Sequence, residues 1–295
     1  MNQDELLGFY TAPGQFTGLQ AFADQVDHVS SDAESLARIV QGLLIHEGLT
    51  AAYGVSMSPA RVAEKQLHSA VAMLTQAKRL DSNPITNARS PGNRVVGVCR
   101  HFATLFVALM RNKGIPARVR CGFAAYFAPG KYVDHWVGEY WNAEQQRWIL
   151  VDPQVDDVQR TLFGLSIDTL DVPHDQFLVG GEAWLKCRGG ADPMRFGIAG
   201  TQMWGLVEVY GDLFQDLAAL QNMELLPWGW YGLALDETGM SEVALLDQLA
   251  EISRQADASA LNTLRQLITA DARLGVPDAS LDAIMIAERA AMAST

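Results

Sequence analysis

The stretch Gly97-Val98-Cys99-Arg100-His101-Phe102-Ala103 opens a helix on a cysteine. After Cys99 the apolar positions Phe102, Leu105, Phe106, Leu109 and Met110 recur at i, i+3, i+4, i+7 and i+8, the stripe of a core-facing helix. Lys113-Gly114 and then Ile115-Pro116 close it, because glycine takes the left-handed position after a helix and proline cannot continue one. The thiol therefore sits on the first turn, where unpaired N–H groups and the helix dipole favour an anion. The expectation is an activated cysteine whose thiolate forms below the ordinary thiol range.

A nucleophilic sulfur needs an imidazole to take its proton, and a third group to hold that imidazole in the right tautomer. Two aromatic and β-branched runs supply both: Asp134-His135-Trp136-Val137-Gly138-Glu139-Tyr140-Trp141 and Arg147-Trp148-Ile149-Leu150-Val151-Asp152. The polar segment 142–146 separates them, so they read as a β-hairpin. Pairing Trp141 with Gln146 across a four-residue loop sets Val137 against Leu150 and His135 directly against Asp152. Opposed residues share a face with Cβ atoms about 4.5–5.5 Å apart, close enough for a carboxylate to accept the imidazole N–H. A slip by one residue would put the two on opposite faces.

Taken in order, Gly97-Val98-Cys99, Gly114-Ile115-Pro116-Ala117-Arg118, Asp134-His135-Trp136 and Trp148-Ile149-Leu150-Val151-Asp152-Pro153 resemble the transglutaminase-like superfamily over roughly residues 84 to 160. The resemblance implies an α+β fold with a papain-like core, in which the cysteine helix packs on an antiparallel sheet carrying the histidine and the aspartate. It also implies a Cys99, His135 and Asp152 triad, with the Cys99 N–H in the oxyanion hole. The superfamily includes acyltransferases, peptidases, amidases and inactive relatives, so the reaction has to be argued from the site. The reading is a thiol-dependent hydrolase or acyltransferase acting on an amide or ester carbonyl, with a peptide, protein or small molecule as substrate. Its rival is a binding or scaffolding protein with a relic site.

The chain has 295 residues and a net charge of −12, with a pI near 4.9. An acidic surface repels nucleic acid and anionic membranes, so neither is expected as a partner. The acidic start Met1-Asn2-Gln3-Asp4-Glu5 has no signal-peptide form, and no run is long enough to span a bilayer. Cys99, Cys121 and Cys187 do not suggest a disulfide framework, which fits a reducing cytoplasm. No cysteine and histidine spacing resembles a zinc site, and no glycine pair has the setting of a phosphate loop. No metal or other cofactor is expected.

Three regions are expected: a helical part over 1–80, the catalytic core over 81–165, and a mainly helical extension over 166–295 packed on it. In the first, Ser31 to Glu34 has the form of a capping box for a helix that stops at Gly48. Ser58-Pro59 opens a second helix, running to about Leu80. The turn-rich segment 81–94 is expected to wall the site. Beyond it, Asp175 to Lys186 and Val207 to Leu220 read as helices, and the tail from Ser241 as short helices broken near Asp257 and at Gly275-Val276-Pro277. Arg94, Arg100, Arg118 and Arg120 are expected to pair with local carboxylates rather than hold a substrate. His101 reads as structural, while His28, His46, His68 and His174 read mostly as surface residues. Gln66, Asn83, Asn87 and Trp204 are the open choices for a second oxyanion donor.

Overall fold

The computed structural model of the chain describes residues 1–293. Its helices are α1 Gln3–Thr11, α2 Ala33–Leu43, α3 Pro59–Val62, α4 Ala70–Leu80, α5 Cys99–Asn112, α6 Asp157–Phe163, α7 Gly180–Arg188, α8 Leu206–Ala219, α9 Val243–Gln255, α10 Ala258–Ala270 and α11 Asp278–Ala293. Its strands are β1 Leu44–His46, β2 Val95–Gly97, β3 Ala117–Ala124, β4 Tyr132–Asn142, β5 Arg147–Val151, β6 Phe177–Val179 and β7 Phe196–Gly197. Strands β5, β4, β3 and β6 lie side by side and antiparallel, with β7 parallel to the start of β4. A separate parallel pair, β1 with β2, leads directly into the cysteine helix. The fold is α+β with a papain-like core, as the motif order implied. No described helix is long and apolar enough to cross a membrane.

Helix α5 is the centre of the packing. Phe102, Leu105, Phe106, Leu109 and Met110 are all buried, in one cluster with Val119, Cys121, Trp136 and Val151 of the sheet. The helix comes close to β4 because Gly138 has no side chain: a Cβ there would lie 2.5 Å from Cδ1 of Phe106. Gly114, at φ +73°, takes the left-handed turn that ends the helix.

Several boundaries differ from the sequence reading. Asp32 rather than Ser31 caps α2, its carboxylate accepting from the Ser35 N–H. That helix stops at Leu43, because residues 44–46 are drawn off as β1 to pair with β2. The helix opened by Ser58 breaks after one turn and a 3₁₀ segment, and α4 starts afresh under its own cap, Ser69. The break is held by Glu288 of α11, whose carboxylate accepts from the His68 and Ser69 N–H groups at 2.7 and 2.9 Å. Residues 177–179, expected as helix, instead extend the sheet as β6, and α7 begins only at Gly180. The segment 81–94 packs on α2: the Arg89 N–H donates to the Gly42 carbonyl, and Ala88 fills the space left by the absent Gly42 side chain.

The C-terminal helices are held by buried charge. Arg120 on β3 makes a two-pronged contact with Asp216 of α8, both bonds 2.9 Å, and reaches Glu139 of β4 at 3.2 Å. Arg118 pairs with the same Glu139 and donates to the Ala256 carbonyl beyond α9. Both arginines are thereby paired, and Arg118 also lies 4.1 Å from the ring centre of Trp148. Breaking a buried ion pair strands its partner, at a cost of about 3–5 kcal/mol. Arg120→Met should accordingly lower the melting temperature by on the order of 10 °C. Against the upward push of burial, Arg118 and Arg120 hold the Glu139 carboxyl at about 2. Because this pKa is depressed, the stability it gives is present above the unfolded value and lost as pH falls through the acid range. Thermal unfolding followed from neutral pH downwards checks both expectations; an Arg120→Met protein as stable as wild type would contradict them.

Candidate active site

The hairpin loop settles the register. Asn142 accepts from the Glu144 and Gln145 N–H groups at 3.0 and 2.9 Å, and Gln146 turns back at φ +50°. The four-residue loop is therefore Ala143 to Gln146, one residue later than expected. Asn142 pairs with Arg147, Trp141 with Trp148 and Gly138 with Val151. Moving the loop by one shifts the pairing by two, so His135 and Asp152 are not directly opposed as the sequence reading had it. They are diagonal neighbours. A shift of two keeps the face, because side chains alternate with period two.

On that shared face His135 Nε2 lies 2.8 Å from Asp152 Oδ2. Both residues are buried, Asp152 completely. Asp152 has two further donors: the Tyr126 hydroxyl to Oδ2 at 2.7 Å and the Gln154 N–H to Oδ1 at 3.0 Å. Against the upward push of burial, His135, Tyr126 and the Gln154 amide hold its carboxyl below the usual range. Burial, then the Asp152 charge, keeps the Tyr126 phenol protonated as a donor. Phe127 meets the His135 ring edge-on, with centroids 4.9 Å apart, and fixes its plane. Gln154 is braced in turn by Gln159, and Gln159 by Tyr53.

Cys99 begins α5 under the N-cap Val98 and is 8% exposed. Its sulfur feels the backbone N–H of Trp136, the residue after His135, and that of Arg100, and it lies within electrostatic reach of Asp152. The pKa direction corrects the expectation of a readily formed thiolate. Burial, and then the charge on Asp134, push the Cys99 thiol well above its usual value, and the two N–H groups only partly offset this. Desolvation outweighs the helix dipole here because the sulfur is almost out of water.

His101 is buried and its Nδ1 accepts from the Val98 N–H at 3.1 Å, a structural role in the cap. Burial, then nearby Arg100, lowers its pKa to about 3. Arg100 donates to the carbonyls of His68 and Glu224, and Arg94 pairs with Asp156 at 3.7 Å. Of the open choices for a second oxyanion donor, Trp204 donates to the Thr201 carbonyl and Gln66 accepts from Trp228, while Asn83 and Asn87 are exposed.

The structure also brings Tyr126, Asp134 and His46 to the site. Asp134 joins Glu208 and Asp212 of α8 in a buried acidic group, and burial raises its carboxyl to about 7, with His135 pulling it down and Glu208 pushing it up. His46 was read as a surface residue. It is half-buried beside Gly97 and lies within electrostatic reach of His135 and Asp152. His46 and Tyr126 have no local signal, since pairing between distant segments brings each to the site. Cys121 of β3 is completely buried within electrostatic reach of Cys99.

Residues 45–153 match the sequence profile of the transglutaminase-like superfamily. Over that segment the chain is similar to the transglutaminase-like superfamily. The matched segment starts in β1 and ends just past Asp152, so it contains Cys99, His135 and Asp152 and begins well before the motifs that first suggested the family. Among solved structures, one described as "a Putative Cysteine Protease from Cytophaga hutchinsonii" aligns at 18% identity over 59% of this chain and 45% of that one, with a TM-score of 0.35. This chain thus spans less than half the length of that protein, and a likeness of that size carries no argument about activity. No curated protein matches the chain.

The direction of the Cys99 shift sets an expected outcome for the transglutaminase-like core. Alkylation of Cys99 by iodoacetamide at neutral pH should be slower than that of a free thiol, and should keep rising through and beyond the ordinary thiol value of about 8.5. Intact mass against pH measures it. A rate already at its plateau in weak acid would contradict the raised pKa.

Proposed function

We propose that this protein is a cysteine-nucleophile enzyme that transfers or hydrolyses an acyl group at an amide or ester carbonyl. The observation that carries this reading is the 2.8 Å bond between His135 Nε2 and Asp152 Oδ2, on the sheet that packs against the Cys99 helix. Asp152 occupies Nε2, which leaves Nδ1 as the basic nitrogen. A neutral thiol pushed up by burial suits general-base attack: Nδ1 takes the proton as Cys99 Sγ bonds to the carbonyl carbon. The oxyanion then meets the Cys99 N–H, which as the first amide of a helix has no carbonyl to bond within it. Asp152 stabilises the imidazolium so formed. When the intermediate collapses, the bond to the leaving group breaks and His135 returns the proton to it. Water, or an amine or hydroxyl acceptor, then removes the acyl group by the reverse steps.

The two further donors that brace Asp152, the Tyr126 hydroxyl and the Gln154 amide, support an active site over a relic, since a site without chemistry has no need to orient a buried imidazole. Cys99→Ala removes the nucleophile, and any covalent adduct with activated acyl probes should vanish with it. In Asp152→Asn the amide still accepts from Gln154 and faces Tyr126, so the fold should survive. It favours the other imidazole tautomer, so acylation should slow about 10³–10⁴-fold. Intact-mass detection across a panel of activated esters and amides, with the melting temperature as a folding control, decides the matter. A wild type that forms no adduct, or an adduct undiminished in Cys99→Ala, would leave the relic binding protein as the better account.

A further inference from the structure

We propose that His46 is the second oxyanion donor, its Nε2–H facing the carbonyl oxygen across from the Cys99 amide. This rests on the acyl-transfer reading above and completes it. Helix α5 offers the reaction one unpaired amide at Cys99, and a tetrahedral oxyanion is ordinarily met by two donors. Strand β1 runs parallel to β2 in a register that sets His46 beside Gly97, two residues before the nucleophile. From there its imidazole is near enough to His135 and Asp152 to feel both. The ring's tautomer is fixed by Gly48, whose N–H donates to Nδ1 at 3.1 Å. In the neutral ring the proton is therefore on Nε2. That nitrogen makes no hydrogen bond among the described residues, and the residue as a whole is half-buried.

The ring also stays neutral through the working range, because burial, and then the charge of His135, lower its pKa to about 4 despite Asp152. A neutral N–H donor holds developing negative charge without competing with His135 for the cysteine proton. In the step itself the sulfur–carbon bond forms, the thiol proton passes to His135, and the carbonyl electron pair moves onto oxygen between the two N–H groups. Collapse returns that pair to the carbonyl and expels the leaving group with the proton from His135.

Two reactions of the same sulfur separate this role from a structural one. Acylation by p-nitrophenyl acetate passes through an oxyanion, whereas alkylation by iodoacetamide, at a saturated carbon, does not. Both rates, with the melting temperature, are measured on wild type, His46→Ala, His46→Gln and Cys99→Ala. His46→Ala should lose about 10²–10³-fold in acylation with alkylation unchanged, and His46→Gln, which keeps an N–H donor, should recover most of it. Equal losses in both rates, or no loss in acylation, would overturn the assignment. A wild type that is not acylated, or an ester adduct that persists in Cys99→Ala, would overturn the thiol reading itself and the role of His46 with it.

Discussion

The buried hydrogen bond between His135 and Asp152 is the constraint on which the rest of the site depends. A carboxylate out of water is costly unless it is fully bonded, and Asp152 has a ring nitrogen, a phenol and a backbone amide as donors. Those three come from β4, from the bend just after β3 and from the corner after β5. Satisfying one charge thus fixes the relative placement of three strands. Helix α5 then has one way to lie on that sheet, set by its apolar stripe and by the missing side chain at Gly138. Cys99 arrives beside His135 and Asp152 as a result of core packing.

Desolvation governs the electrostatics around it. It raises the Cys99 thiol, the Asp134 carboxyl and the Tyr126 phenol, and it lowers His46 and His101. Only where a cation or several donors lie against a carboxylate, as at Glu139 and Asp152, does pairing win. The consequence is a site whose Cys99 thiol is held protonated and whose His135 ring is held by Asp152.

Much of this was legible in the sequence. The cysteine helix was, because its stripe and its Gly-Pro stop are local. The shared face of His135 and Asp152 was also legible, although their register was not: the Asx turn at Asn142 moved the loop by one residue, and the period of a strand absorbed the error. What stayed hidden depended on contacts between distant segments. Residues 44–46 become a strand because β2 lies alongside, residues 68–69 leave the helix because Glu288 takes their amides, and residues 177–179 turn from helix to strand because β3 has a free edge there. His46 and Tyr126 entered the site by the same route, and nothing in their own neighbourhoods marks them.

The most direct test of the account is the protonation state of the His135 ring, read from ring ¹⁵N chemical shifts and their couplings to ring protons in labelled protein above neutral pH. The expected result is a proton on Nε2, held by Asp152 and exchanging faster in Asp152→Ala, and a bare Nδ1 turned towards the cysteine side. A ring carrying its proton on Nδ1, indifferent to Asp152, would contradict it.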